Sequence, residues 1–157
     1  MSSAFVDAMT LLSALGSALV AGIIFAFSTF IMKALGRLQP EQGIAAMQAI
    51  NVTVLNPWFF AVFFGTGVGC IFLAIFALLQ WGDPVASHLA VGGMLYIVGT
   101  VFVTLVFNVP LNNALARAAA NDPDSVSLWR HYLRRWTFWN HVRTGGSLAA
   151  ATWLMLA

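Results

Sequence analysis

Trp136-Thr-Phe-Trp-Asn-His-Val-Arg-Thr144 opens an apolar run that continues to Ala157, and its reading decides the fold. An amide, an imidazole and a guanidinium stand together at the entry to a stretch long enough to cross hydrocarbon. On a soluble helix such groups would lie in water and need no explanation. At the start of a membrane span polar side chains are costly, and they usually face a bundle interior or a cavity. Three further apolar runs, residues 7–31, 57–81 and 85–107, match the run at 136–157, and each reaches the roughly 20 residues that a span requires.

Composition agrees with this reading. The 157 residues are 61% hydrophobic and only 8% charged, with a mean hydropathy of +0.87, whereas soluble domains carry about 25% charged residues. The expected fold class is therefore all-α: a transmembrane four-helix bundle forming one integral membrane domain over residues 1–157. No basic residue precedes the first run, and it is longer than the apolar core of a signal peptide, so it is expected to remain in the mature protein. The single cysteine, Cys70, lies mid-span, allows no internal disulfide and reads as a small packing residue.

The basic residues orient the bundle. Lys33 and Arg37 follow the first span, and Arg117, Arg130, Arg134, Arg135 and Arg143 lie between the third span and the entry to the fourth. In a four-span bundle those two connections share a side, and the bias of Lys and Arg toward cytoplasmic loops makes that side cytoplasmic. The expected location is the bacterial inner membrane, with both termini outside. The cations sit at span ends without the continuous stripe of a nucleic-acid footprint, so no nucleic-acid partner is expected.

Along the first span, Ala14, Ala18, Gly22 and Ala26 form a small-residue row suited to helix contact. Ser28 either bonds back to the carbonyl four residues earlier or points into the bundle. Between the first two spans Ile44, Met47 and Ile50 recur at helical spacing, as in an interfacial amphipathic helix. A second such helix is expected from Ser125, with Arg130 and Arg134 on one face and Trp129, Leu133 and Trp136 on another. Asn56-Pro57 reads as an N-cap with proline at the first helical position, which by itself accounts for Asn56. Gly65 and Gly69 have contact spacing, because a phosphate-cradling loop needs a strand, a turn and a helix start that an apolar helix lacks. Trp81 marks an interface in the turn Gln80–Pro84, Pro110 should kink the third span, and Asn121–Asp124 forms a break rich in helix-capping residues.

Three polar ends should thus converge on the cytoplasmic half: Asn51 and Asn56, Asn108 and Asn112, and Asn140, His141 and Arg143 beside Trp136 and Trp139. Arg143 is the most informative. It lies eight residues beyond Arg135, or about 12 Å along a helix, and no span core supplies a carboxylate. Either it snorkels to the interface, or it is held inward by asparagine oxygens facing an anion or an oxygen that becomes anionic. The aligned row Trp136, Asn140, Arg143 favours the inward placement. His141 stands about 100° from Asn140 and reads either as a packing imidazole or as a functional one. Three scattered histidines and one mid-membrane cysteine match no zinc or di-metal ligand set. No metal or cofactor is expected, and a lone axial haem ligand at His141 is the lesser alternative.

Phe25-Ala-Phe-Ser-Thr-Phe30, Met47-Gln-Ala-Ile-Asn51 with Asn56-Pro57, Asn108-Val-Pro-Leu-Asn112 and Trp136-x-x-Trp-Asn-His-Val-Arg143 together resemble the anthrone-oxygenase-like family of small four-span membrane proteins. The resemblance runs over nearly the whole chain. It implies oxidation of an anthrone to an anthraquinone, the activity of fungal polyketide-pathway members. An anthrone is acidic beside its carbonyl, and its anion reacts with dioxygen without metal or flavin. On this reading His141 is the base, Arg143 with Asn140 and Asn108 holds the oxyanion, Trp136 and Trp139 wall a flat slot, and Asn51, Asn56 and Asn112 complete it. The expected partners are membrane lipid and a flat aromatic or quinone-like small molecule. The alternative is non-catalytic: a small subunit of a larger membrane complex or homo-oligomer, or a lipid- or quinone-binding protein using the same pocket.

Overall fold

The computed structural model describes residues 3–80, 82–120 and 122–157, so Trp81 and Asn121 lie outside the described residues. The described chain forms five helices. α1 runs Ser3–Ala26 and continues through a π-helical turn, Phe27–Ile31, into Met32–Leu35. α2 is Pro40–Thr53 and α3 is Pro57–Leu79. α4 runs Pro84–Tyr96, passes through wider turns at Ile97–Phe102 and Thr104–Asn108, and ends as Val109–Ala116. α5 is one helix, Pro123–Met155.

Helix starts follow local chemistry. Asn56, Asp83 and Asp122 each precede a proline at the first helical position, and each side chain accepts a backbone N–H, from Phe59, Val85 and Asp124 respectively. Proline loses nothing there, because that N–H would lack an intrahelical partner anyway. The α3–α4 turn passes through Gly82 at φ +115°, a conformation that other residues rarely adopt.

Three helices, Ala4–Leu35, Pro57–Leu79 and Pro84–Ala116, are long and apolar enough to cross a membrane. α5 has the length, 33 residues or about 50 Å, but its first two thirds carry the arginines and the polar motif. It packs along α1 and α4 rather than standing apart. Its interior row is Trp136, Asn140, Arg143 and Ser147, all buried.

The two connecting segments differ from the interfacial helices read in the sequence. On α2, Ile44 and Met47 are fully buried in a cluster with Met32, Leu115, Trp129, Tyr132 and Trp136. That face is used up on protein, so it is not free for lipid. The second connection holds no separate helix beyond its turn, because Ser125–Arg135 is simply the beginning of α5. Its buried row is Trp129, Tyr132 and Trp136, while Leu133 is only half-buried.

Close helix approach occurs at some of the residues with contact spacing and not at others: Gly69 packs against Ser13 of α1. A Cβ on Gly22 or Gly65 would meet nothing within 4 Å. Tight crossings lie between α3 and α4, where a Cβ on Gly93 would lie 2.6 Å from Cys70 O, and between α4 and α5, where a Cβ on Gly146 would lie 2.8 Å from Gly99 backbone carbons. There Thr100 and Ser147 share a hydroxyl–hydroxyl bond of 2.7 Å. Pro110 does not break α4, since the π-helical turn Thr104–Asn108 directly precedes it and absorbs the change in hydrogen-bond register.

Candidate functional site

Arg143 is 8% exposed and points into the bundle. The turn of α5 places Asn140 three residues earlier on the same face, and Arg143 Nη2 donates to Asn140 Oδ1. Nη1 donates to Thr104 Oγ1 of α4 at 3.1 Å, and Nε is buried without a partner. The guanidinium carbon lies 5.4 Å from the centre of the Trp136 ring, a cation–π contact. Every partner is neutral, so among the described residues no carboxylate pairs with the buried positive charge.

Asn140 is itself held. Its Nδ2 donates to Ile24 O and to Ser28 Oγ, both at 2.8 Å. Ser28 Oγ also donates back to Ile24 O at 3.0 Å, so the two readings of that serine coexist. These bonds sit where α1 passes into its π-helical turn, and Thr104 begins a π-helical turn of α4. Wide turns of this kind are frequent at functional sites. With both bonds donated by Nδ2, the Oδ1 atom faces Arg143, and the guanidinium becomes a pre-aimed donor whose aim depends on α1.

A second polar knot lies one turn toward the connecting segments. Asn112 Oδ1 accepts from Tyr132 Oη and from Trp136 Nε1, both at 2.8 Å. Asn108 Nδ2 donates to Trp136 O at 3.3 Å, and its Oδ1 is buried without a partner. Burial raises the Tyr132 phenol above the ordinary tyrosine value, which keeps it a donor to Asn112. Trp136 joins the two knots, because its indole is fixed by Asn112 and its face carries Arg143.

Beside Arg143 is a cavity of about 180 Å³. Its polar lining is Thr104, Asn140 and Arg143, and its aromatic wall is Phe59, Phe60, Phe63 and Phe64 of α3 with Phe27 of α1. It exists because α3 packs on α4 through Pro84–Tyr96 and only lightly on the following turn, so the helices part toward the Asn56 end. Phe60 and Phe64 remain 39% and 48% exposed, which leaves the aromatic wall open to the outside of the bundle.

Among the residues read from the sequence, the structure joins Asn108, Asn112, Trp136, Asn140 and Arg143 in one connected network. Only Asn140 and Arg143 of these line the cavity. Asn51 is half-buried on α2, with Nδ2 lacking a partner. Asn56 is spent on its cap, accepting from Phe59 N–H at 3.0 Å and donating to Thr53 O at 3.1 Å. Trp139 stacks on Phe107 with centroids 3.6 Å apart, and lines no wall of the cavity. His141 is exposed and faces a different groove, because one residue of helix turns it away from Asn140. This cavity is walled by phenylalanines, and neither the two indoles nor the imidazole is among its lining residues. Thr104, Tyr132 and the α3 phenylalanines were not singled out in the sequence. Phe59, Phe60, Phe63 and Phe64 do carry a signal, since spacings of one and four put two adjacent rows on one helical side.

Among the described residues no three His, Cys, Asp or Glu side chains are placed to hold a metal ion. No curated protein and no solved structure matches the chain. The family model for anthrone oxygenase matches residues 58–153, which hold α3, α4 and nearly all of α5, and so both polar knots and the α3 wall of the cavity. That match covers more than half of the sequence, and the chain belongs to the anthrone oxygenase family.

Proposed function

We propose that the chain oxidises an electron-rich aromatic ketone of the anthrone type, with dioxygen, in the cavity beside Arg143. α5 then crosses the membrane as a fourth span, in the bacterial inner membrane, with both termini outside and the basic connections in the cytoplasm. The observation that carries the reading is a buried guanidinium, satisfied only by neutral acceptors, facing an aromatic-lined cavity. A cation so placed favours an anion over its neutral parent.

The chemistry follows from that preference. A substrate carbonyl oxygen set against Arg143 gains most when the neighbouring methylene loses a proton and the oxygen becomes phenolate-like. Among the described residues no carboxylate or imidazole lines the cavity, so on this reading the proton passes to water rather than to His141. The carbanion carbon gives electrons to dioxygen and forms a carbon–oxygen bond. Loss of the second methylene hydrogen with cleavage of the oxygen–oxygen bond leaves a new carbonyl and one water. One dioxygen is consumed, with one oxygen atom in the quinone and one in water. Asn140 positions Arg143, Asn108 and Asn112 fix Trp136 beneath it, and the phenylalanines accept the flat ring system.

The test is oxygen uptake by purified protein with an anthrone, corrected for spontaneous oxidation, using isotopically labelled dioxygen to count atoms in the product. The expected result is a rate above background that falls at least about a hundredfold in Arg143→Met. No rate above background, or an unchanged rate in that variant, refutes it. A protein that retains the aromatic without consuming oxygen belongs to the alternative, binding-only reading.

A further inference from the structure

A second cavity lies on the opposite side of the Asn140–Ser28 contact. It is a groove of about 630 Å³ between the end of α1 and the first half of α5. Two helical stripes face each other across it. Thr29 and Lys33 stand four residues apart on α1, with Arg37 in the turn just beyond its end, and Arg130, Arg134, Thr137 and His141 stand four, three and four apart on α5. The helices are antiparallel, so Lys33, Arg37, Arg130 and Arg134 gather at the shallow end, while the hydroxyls and His141 lie deeper. Met32 and Leu133 line the groove as well, and among the described residues no carboxylate does.

Positive charge at a span end is expected of any cytoplasmic connection. What that bias does not require is four permanent cations, from two helices and the turn after α1, converging on one groove while Glu41, Asp122 and Asp124 all stay out of it. Two other cations, Arg117 and Arg135, also lie outside. Mutual repulsion makes such a cluster unfavourable when empty, and an anion with several acceptor oxygens relieves it. Phosphate matches this: guanidinium forks pair with two oxygens at once, and the hydroxyls of Thr29 and Thr137 can serve an ester or glycerol group further in. Phe30 and Phe138, one residue on from those threonines, are more than half exposed. An acyl chain would lie against them.

We propose that this groove binds a phosphate-bearing anion at the membrane surface, with the headgroup of an anionic phospholipid as its source. The site is separate from the Arg143 cavity, and its occupancy does not depend on the proposed oxidation.

The test uses the full chain in phosphatidylcholine nanodiscs containing a minor fraction of spin-labelled phosphatidylglycerol or, in parallel, spin-labelled phosphatidylcholine. Motionally restricted label reports lipid held by the protein. The expected result is a preference for phosphatidylglycerol of about tenfold or more. Lys33→Gln, Arg37→Gln, Arg130→Gln and Arg134→Gln should each lower it by roughly fivefold, and Arg117→Gln and Arg135→Gln should leave it unchanged. All six side chains are exposed, so folding is not at stake. Retention of the label in excess inorganic phosphate assigns the lipid source, and its displacement assigns a soluble phosphate compound to the same groove. Equal restriction of both lipids, or an equal loss in Arg135→Gln, overturns the proposal.

Discussion

Replacing Arg143 by methionine separates a functional cation from a structural one. On one side of the balance, the variant loses a charge-assisted bond to Asn140 Oδ1, worth about 1.5–3 kcal/mol, and a desolvated contact with the Trp136 face, worth about 2 kcal/mol. Thr104 loses little, because its hydroxyl still donates to Thr100 O at 2.6 Å. On the other side, a guanidinium with an unpaired Nε and no carboxylate is released from burial, which returns several kcal/mol. The side-chain volume stays filled. The net change should fall within about 2 kcal/mol of zero, a shift of the thermal midpoint in detergent by no more than about 8 °C. Oxygen uptake should nevertheless be lost. A stable, inactive Arg143→Met protein means that the charge is kept for what it binds. If the variant instead loses more than about 4 kcal/mol while its folded fraction oxidises substrate normally, Arg143 is a structural residue and the proposed role fails.

Gly146→Ala should destabilise by about 1–3 kcal/mol, because its methyl would meet Gly99 backbone at 2.8 Å, while Gly22→Ala in open space should be neutral or stabilising by up to about 1 kcal/mol; thermal unfolding of both variants checks the pair. Tyr132→Phe should cost about 1 kcal/mol, since Asn112 keeps its bond from Trp136. The folded phenol is raised by burial, so its contribution to stability is present in full below the ordinary tyrosine value near 10. As the pH rises past that value the unfolded chain loses the proton first, and stability falls by up to about 1.4 kcal/mol per pH unit. The phenylalanine variant should show a shallower fall in unfolding measured across that range. Asn140→Leu should cost at least about 2 kcal/mol by leaving Arg143, Ser28 and Ile24 O short of a partner, with substrate affinity falling alongside stability in a binding titration.

The membrane character, the helical class and the family were legible in the chain alone, and for one reason: each rests on properties that are local. An apolar run of sufficient length, an Asx-Pro helix start and a short sequence motif need no knowledge of what packs opposite. The inward row Trp136, Asn140, Arg143 was legible too, because three- and four-residue spacing puts those side chains on one helical face, and all three are buried. Other inferences required knowing which face of a helix meets which neighbour. Gly22 has contact spacing and no contact. Ile44 and Met47 form an apolar row that the sequence offers to lipid as readily as to Trp129.

His141 and Asn140 are adjacent in sequence and serve different sides of α5. The chain shows that they diverge by about 100°, but only the placement of α1 puts Asn140 against Ser28 and His141 in the basic groove. The aromatic cavity likewise depends on α3 parting from α4 toward the Asn56 end, a consequence of where two helices touch and where they do not. Thus the sequence by itself determined a helical membrane protein of this family with a buried polar row on its last helix, because periodicity and hydropathy are properties of single segments. The tertiary structure alone decided what that row faces, because a cavity, a groove and the partners of a buried cation arise only between segments.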